Sequence, residues 1–204
     1  MRGLALPLDR ELLAAVEDIA TVIPFRHMTT SGGLKMHVVS TGCGPRQVHD
    51  RVPFRYGAPS SVPSMPGFPD SPQATENHAR PPMPEVFHSF AIQAATLAGF
   101  PRFRPDSGHI NRYHAGIKLG LHQDRDENDL RQPIVSVSLG LSAVFLLGGL
   151  ERSEKPRHIL LEHGDVIVWG GPSRLRFHGV QPLKPGSHLL TGVYRYNLTF
   201  RKTH

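Results

Sequence analysis

A histidine and a carboxylate stand two residues apart in the segment KLGLHQDRDEND, at His122 and Asp124. An imidazole and a carboxylate side by side can hold a divalent metal, although two protein ligands rarely suffice. The segment LGLHQD alternates as a strand does, so both side chains are expected on one face. The alternative interpretation is a solvated acidic turn, which the acids from Asp126 to Asp129 would indicate on their own.

A third ligand would have to come from a distant strand, and His178 in RLRFHGVQPL is the candidate. It follows two alternating apolar residues, as a strand histidine would. Two histidines and one carboxylate leave three open positions on an octahedral metal, which is the arrangement of non-haem Fe(II) oxygenases. An isolated HxD pattern occurs by chance in many proteins. A downstream histidine in a β-rich chain makes the pattern more specific.

The segment RYNLTFR puts Arg195 and Arg201 on one face of a strand. A keto diacid that chelates iron at one end needs a fixed cation at its other end, and arginine is suited to bidentate carboxylate binding. A straight strand would separate the two Cα atoms by roughly 20 Å, at about 3.3 Å per residue. Both side chains can therefore reach one small acid only if the strand coils and they converge. The alternative is that these arginines pair with Asp or Glu.

Two helices are expected ahead of the β-rich half. The segment PLDRELLAAVEDIATVIPF predicts a helix that begins near Asp9, with Asp9 as its N-cap, and ends at Pro24. Its apolar residues at helical spacing are Leu12, Leu13, Val16, Ile19 and Ile23. The segment MPEVFHSFAIQAATLAGF predicts a second helix that ends at Gly99. Its apolar stripe consists of Val86, Phe87, Phe90, Ala94 and Leu97.

The second half of the chain predicts many short strands. PIVSVSLGL alternates apolar residues with serine, which is typical of a half-buried strand. RHILLEHGDVIVWGG reads as two strands around a turn at residues 163–165, which favours a hairpin. HLLTGVYRYNLTFRK predicts a last strand with Tyr194, Tyr196, Leu198 and Phe200 on one face. Strands with turns about every ten residues indicate a sandwich or jelly roll, with the helices covering one sheet.

Composition bounds the class of protein. A chain of 204 residues with one cysteine, Cys43, suits a single domain without an internal disulfide. No apolar run is long enough to span a bilayer, and no secretory pattern opens the chain, so a cytoplasmic protein is expected. The net charge is +6, and residues 151–204 hold nine Lys or Arg against four Asp or Glu. This basic balance is compatible with a nucleic-acid partner.

Three stretches resemble the AlkB-type Fe(II)/2-oxoglutarate dioxygenases, which repair alkylated nucleic acids. They are NRYHAGIKLGLHQDRDENDLRQPIVSVSLGL, LEHGDVIVWGGPSRLRFHGVQPL and RYNLTFR. The resemblance implies a mainly β chain with flanking helices in the double-stranded β-helix (jelly-roll) dioxygenase fold. It also implies Fe(II), 2-oxoglutarate and O2 as cofactor and cosubstrates. The expected organisation is one dioxygenase domain over 1–204, with an N-terminal part at 1–42, a nucleotide-recognition lid at 43–82 and a catalytic core at 83–204.

The same resemblance assigns roles to single residues. The iron ligands would be His122, Asp124 and His178. The 2-oxoglutarate contacts would be Arg195 at the far carboxylate, Arg201 near the chelating end, and Asn111, Tyr113 and Asn197 in support. The nucleic-acid contacts would be Asp126 and Glu127 near an extruded base and Arg152 in a loop. Trp169 also matches a family position, but a lone tryptophan closing an alternating strand is interpreted as core.

The chain departs from the family's pattern between residues 43 and 82. Gln47 stands where the family has a tryptophan, while Phe54 and Tyr56 take two tyrosine positions of the lid. Base–aromatic stacking contributes roughly 1–3 kcal/mol per base, so this loss should weaken substrate binding and leave the iron chemistry intact. Two explanations compete. The lid has diverged toward another substrate, or the coding segment carries a local reading-frame shift.

The function implied is oxidative demethylation of N-alkylated bases such as 1-methyladenine or 3-methylcytosine. Decarboxylation of 2-oxoglutarate would be coupled to methyl hydroxylation and release of formaldehyde. The expected partner is alkylated single-stranded DNA, with double-stranded DNA or RNA as alternatives, and a monomer is the default. One alternative function is an oxygenase of the same chemistry with another substrate. A second is a nucleic-acid-binding member of the fold that turns over poorly.

Overall fold

The computed structural model describes residues 1–29, 35–45, 80–125 and 127–204. Within these ranges two helices precede most of the strands. The helices are α1 (Asp9–Val22) and α2 (Glu85–Leu97). The strands are β1 (Arg26–Thr29), β2 (Lys35–Cys43), β3 (Ser107–Tyr113), β4 (Leu119–His122), β5 (Ile134–Gly140), β6 (Ala143–Leu147), β7 (Arg157–Leu161), β8 (Val166–Trp169), β9 (His178–Val180) and β10 (Arg195–Arg201).

The strands form two antiparallel sheets. The larger has the order β1-β2-β3-β10-β5-β8, and the smaller has the order β4-β9-β6-β7. From β3 onward the strands alternate between the two sheets, except that β6 and β7 are neighbours in the smaller sheet; this is the winding of a double-stranded β-helix. The expected jelly-roll fold with flanking helices is therefore confirmed. No helix in the described ranges has the length and apolarity needed to cross a bilayer.

The helices cover the outer face of the larger sheet, as expected. They share one apolar core with that sheet, in which the Phe87 ring of α2 lies 5.1 Å from the Phe200 ring of β10. The stripe predicted for α2 is wrong at Leu97, which is 62% exposed. The buried stripe consists of Phe87, Phe90, Ala91, Ala94 and Ala95. The alanines bring the helix close to the sheet because they add little bulk.

Helix α1 begins at Asp9, so this residue is the first helical residue and not the predicted N-cap. The Asp9 carboxylate accepts a hydrogen bond from His163 Nε2 at 2.9 Å, which ties the helix to the turn between β7 and β8. The hydrogen bond and the charge of His163 lower the pKa of Asp9. His163 therefore binds the Asp9 carboxylate, which in an N-cap residue would accept a hydrogen bond from a backbone N–H group of its own helix.

The hairpin predicted for RHILLEHGDVIVWGG is wrong. Strand β7 pairs with β6 in the smaller sheet, whereas β8 pairs with β5 in the larger sheet. The chain crosses between sheets at Asp165, whose carboxylate accepts hydrogen bonds from the backbone N–H groups of Glu162 and Gly3. A turn pattern alone does not distinguish a return to the same sheet from a crossing to the other.

Strand β5 is not half-buried, because all seven of its residues are buried. Val135, Val137 and Leu139 belong to the core shared with the helices, and Ser136 and Ser138 face the space between the two sheets. The serine hydroxyls accept hydrogen bonds there from Asn197 and Arg195 of β10. The strand alternates as predicted, but its polar face points into the protein instead of into water.

Candidate metal centre and cosubstrate pocket

Two neighbouring strands of the smaller sheet bring the predicted histidines together. His122 ends β4, His178 begins β9, and the two residues are directly paired across the strands with ring centres 4.3 Å apart. Strand β4 stops at His122, so the predicted alternation does not reach Asp124. The chain nevertheless returns the Asp124 carboxylate to the pair, 3.7 Å from His122 Nε2 and 3.3 Å from His178 Nε2. One ligand atom from each residue lies within 4.8 Å of the others.

The imidazoles are oriented by main-chain carbonyls. His122 Nδ1 lies 2.9 Å from the Gly120 carbonyl, and His178 Nδ1 lies 3.1 Å from the Arg176 carbonyl. Because a carbonyl only accepts, each Nδ1 carries the proton and each Nε2 presents its lone pair toward Asp124. Metal-bound histidines in proteins are held in this way.

Charge states in the cluster suit a metal cation. Burial and the neighbouring His178 lower the pKa of His122, although Asp124 acts to raise it. Burial acts to raise the pKa of Asp124, but the Arg201 guanidinium and the neighbouring His178 hold it well below its usual range. A neutral imidazole and an ionised carboxylate are the forms that bind a metal. The donor set therefore fits a divalent ion.

Arg195 is buried on the strand that also carries Arg201, and no carboxylate pairs with it among the described residues. It is 1% exposed, and its Nη2 donates to Ser138 Oγ at 3.0 Å. Its Nε and Nη1 atoms and the buried Tyr113 hydroxyl have no hydrogen-bond partner within the described ranges. The guanidinium lies 5.1 Å from the Tyr113 ring centre. A buried cation with unpaired donors is costly, so the surroundings of Arg195 fit an anionic ligand such as a carboxylate.

Arg201 has different neighbours. Its Nη1 donates to Glu127 Oε1 at 2.9 Å, and its Nη2 lies 2.9 Å from Asp124 Oδ2. The alternative considered for the two strand arginines, pairing with Asp or Glu, therefore describes Arg201 and not Arg195. Arg201 stands beside the metal-ligand cluster, at the opposite end of β10 from Arg195.

Polar side chains connect the two ends of the pocket. Asn197 Nδ2 donates to Ser136 Oγ at 2.7 Å and to the Val137 carbonyl at 3.1 Å. Asn111 Oδ1 accepts from Ser40 Oγ at 2.6 Å. Both asparagines are paired across β3 and β10 and line the pocket between the sheets. These buried hydrogen bonds fix the amide groups that face a ligand.

Trp169 is buried, as interpreted from the sequence, and is 6% exposed. Its ring centre lies 5.0 Å from that of His178 and 5.9 Å from that of Phe145. Its Nε1 has no partner among the described residues. The tryptophan thus packs directly on a predicted metal ligand and forms part of the pocket wall.

The predicted nucleic-acid contacts have different outcomes. Glu127 does not face an open surface, because its side chain is 1% exposed and is paired with Arg174 and Arg201. Its contact with an extruded base therefore stays a prediction. Arg152 is exposed, with its guanidinium 5.9 Å from the Phe177 ring centre, and its contact with nucleic acid stays a prediction. Phe54, Tyr56 and Asp126 lie outside the described residues.

Sequence reasoning missed several residues of the pocket. Ser136, Ser138 and Thr199 are buried beside Asn197 and Arg195, and the period-two serines of β5 were the signal that could have found them. Arg174 is also buried and joined to the metal-ligand loop. It is an isolated arginine in a connection, so no local pattern points to it.

The chain belongs to the 2OG-Fe(II) oxygenase superfamily, whose family model matches residues 5–201. Within that superfamily it is an AlkB-type dioxygenase. It is 49% identical over 203 residues to the alpha-ketoglutarate-dependent dioxygenase AlkB of Escherichia coli (strain K12), a match that covers 99% of this chain and 88% of that protein. Its cofactor is Fe(II), and its cosubstrates are 2-oxoglutarate and O2.

Two further comparisons are informative. The chain is 44% identical over 114 residues to the DNA N(6)-methyladenine demethylase ALKBH1D of Arabidopsis thaliana, which covers 50% of this chain and 25% of that protein. The solved structure of OsALKBH1 superposes with a TM-score of 0.74 at 26% sequence identity, covering 99% of this chain and 95% of that one.

Proposed function

We propose that this dioxygenase demethylates N-alkylated bases in DNA, of the 1-methyladenine and 3-methylcytosine type. His122, Asp124 and His178 hold the iron in this proposal. When bound, Fe(II) supplies the oxygen activation that couples decarboxylation of 2-oxoglutarate to hydroxylation of a substrate carbon. The observation that carries the proposal is the convergence of the three ligand atoms within 4.8 Å, together with a buried arginine, Arg195, whose Nε and Nη1 have no partner among the described residues.

The cosubstrate would lie along β10. Arg195 and the Tyr113 hydroxyl supply unpaired buried donors for the carboxylate far from the metal. Arg201 stands at the metal end, next to Asp124, where the chelating keto acid would bind. Asn111 and Asn197 line the space between these ends. A ligand whose far end is a carboxylate matches the unpaired donors of Arg195.

A methylated base would approach from the side of His122. This residue is the most exposed of the three ligands, with 36% of its side chain accessible against 7% for Asp124 and 7% for His178. Hydroxylation of an N-methyl group gives a hemiaminal, which releases formaldehyde and leaves the repaired base. A base that cannot pair normally is flipped out of the stack at lower cost, which favours damaged bases as substrates.

The remaining contacts are assigned from the resemblance and the charge of the chain. Phe54, Tyr56 and Asp126 would contact the flipped base, and the exposed Arg152 would bind a phosphate. The related Arabidopsis thaliana protein is a DNA demethylase by name, which supports DNA as the substrate class. We also propose that residues 1–204 act as one dioxygenase domain, monomeric and cytoplasmic, with single-stranded DNA preferred.

The test is a demethylation assay. The protein is loaded anaerobically with Fe(II) and given 2-oxoglutarate, air and a single-stranded DNA bearing one 1-methyladenine, and loss of the methyl group is followed by mass spectrometry. We expect demethylation by the unaltered protein and by His114→Ala, an exposed histidine outside the cluster, and none by His122→Ala. Succinate formation without demethylation of DNA would contradict the proposed substrate, and a matching RNA oligonucleotide would then separate RNA from other substrates.

A further inference from the structure

Arg174 holds three acceptors on the connection between β4 and β5, which is the segment that carries Asp124. Its Nη1 donates to the Asp124 carbonyl, its Nε donates to the Gln132 carbonyl at 3.0 Å, and its Nη2 donates to Glu127 Oε2 at 2.8 Å. The side chain is buried, with 3% exposed. It follows the turn Gly171–Ser173 and so precedes His178 by a few residues along the chain.

These contacts close a ring of four buried residues. Glu127 accepts from Arg174 with one carboxylate oxygen and from Arg201 with the other. Arg201 then reaches the Asp124 carboxylate at 2.9 Å. Asp124 is therefore held at its main chain by Arg174 and at its side chain by Arg201, and Glu127 joins the two arginines. Two guanidinium groups and two carboxylates balance in charge, so each buried ion has a counter-ion.

We propose that Arg174 is a positioning residue for the metal centre, which fixes the Asp124 main chain and, through Glu127, holds Arg201 beside the Asp124 carboxylate. This inference rests on the proposed iron site. Arg174 contacts Asp124 at its main-chain carbonyl and does not itself line the pocket, so it acts only through these neighbours. A second tie, from Gln123 Nε2 to the Leu175 carbonyl at 2.6 Å, joins the same two loops.

The ring matters because metal affinity depends on small displacements of the ligand atoms. Outer groups that orient metal ligands typically change metal affinity 10- to 100-fold when they are removed. Without Arg174, the carbonyls of Asp124 and Gln132 lose a donor, and Glu127 keeps Arg201 as its one remaining partner in the ring. The Asp124 loop and the Arg201 guanidinium would then both gain freedom to move.

The first experiment measures the dissociation constant for Mn(II), used in place of Fe(II) because it resists oxidation, by electron paramagnetic resonance of the free ion. We expect Arg174→Met to raise that constant about 10- to 100-fold. Arg131→Met is the matched control, because Arg131 sits in the same connection but pairs with Asp129 at the surface. The control should bind Mn(II) as the unaltered protein does. A folded Arg174→Met variant whose constant stays within about twofold would overturn the proposal.

Arg174→Lys and Glu127→Gln keep the proposal testable if Arg174→Met does not fold. A lysine carries a point charge and cannot hold three divergent acceptors in the fork geometry of arginine. We therefore expect Arg174→Lys to weaken Mn(II) binding at least threefold, and unchanged binding would overturn the proposal. Glu127→Gln should raise KM for 2-oxoglutarate more than it lowers kcat, since it loosens Arg201. In the double variant, the effects of Glu127→Gln and Arg174→Lys on KM for 2-oxoglutarate should be less than additive.

Failure of this inference is distinguishable from failure of the proposed function. Mn(II) binding requires neither oxygen nor nucleic acid. Inactivity on methylated DNA would reject the proposed substrate and leave the Arg174 result standing. Absence of Mn(II) binding by the unaltered protein would overturn the positioning role together with the proposed iron site.

Discussion

At the scale of single residues, Arg195 and Arg201 show how two arginines on one strand face acquire different surroundings. Both were predicted from the alternation of RYNLTFR, together with the face they share. Their partners could not be predicted, because Glu127, Asp124 and Ser138 come from other elements. Arg201 is neutralised by two carboxylates, whereas the buried Arg195 has no carboxylate partner among the described residues and keeps unpaired donors. Arg195 is therefore the arginine that fits an anionic ligand.

Replacement of Arg195 by Lys tests this reading. The substitution keeps the charge and loses the fork that can grip a carboxylate with two donors. Loss of charged hydrogen bonds worth about 1.5–3 kcal/mol corresponds to a rise in KM for 2-oxoglutarate on the order of 10- to 100-fold. The dissociation constant for Mn(II) should change little, because Arg195 lies at the end of β10 away from the ligand cluster. The rate of succinate formation at several 2-oxoglutarate concentrations gives KM. An unchanged KM would contradict the role of Arg195 in binding the far carboxylate.

At the scale of elements, the pairing of β4 with β9 sets the distance between His122 and His178. Gly179 follows His178 and lies against β4, where a Cβ atom would stand 2.6 Å from the Leu119 carbonyl oxygen. The neighbouring atoms are backbone, so they cannot turn away as a flexible side chain could. The absence of a side chain at Gly179 therefore allows the two histidine-bearing strands to approach.

Gly179→Ala should push β4 away from β9 and shift His122 relative to His178. We expect the dissociation constant for Mn(II) to rise about tenfold, in the range of other changes that disturb ligand orientation. Gly120→Ala is the matched control in the same strand pair, because nothing described lies within 4 Å of a Cβ atom there. If both variants bind Mn(II) equally, the close approach of the strands does not govern the site.

Elements with a clear period were predictable, and connections between sheets were not. The two helices and the site-facing side of β10 follow from local spacing of apolar residues. The crossing from β7 to β8 depends on Asp165 and Gly3, which are far apart in the chain. The metal-ligand histidines could be chosen from the sequence because the family's motif covers them. The Arg174 ring was not predictable, since its members come from three separate segments.

At the scale of the whole molecule, the first residues of the chain bind the connection between β7 and β8, where the chain crosses from the smaller sheet to the larger. The Met1 amino group donates to the Val166 carbonyl at 2.8 Å, and Ala5 N donates to the Gly164 carbonyl at 2.9 Å. Asp165 is 4% exposed and accepts hydrogen bonds from Gly3 and Glu162. Burial acts to raise the pKa of Asp165, but these hydrogen bonds and Arg2 outweigh it and lower the pKa.

Asp165→Asn should reduce the free energy of unfolding by about 1–3 kcal/mol at pH 7, the usual effect of disturbing buried hydrogen bonds. A folded pKa below the unfolded value of about 3.9 gives stability that is present above pH 4 and lost as pH falls through the folded pKa. The difference between the variant and the unaltered protein should therefore shrink below pH 4. Denaturant unfolding of both proteins at several pH values measures their difference in free energy of unfolding. A difference that grows on acidification would contradict the role of Asp165.

The central claim is that one pocket couples 2-oxoglutarate decarboxylation to removal of a methyl group from a damaged base. The most direct measurement is the amount of succinate, formaldehyde and unmethylated base produced in one reaction with a 1-methyladenine oligonucleotide. The claim predicts equal amounts of all three products and none from the Asp124→Ala variant. Succinate in excess, with neither formaldehyde nor unmethylated base, would contradict it.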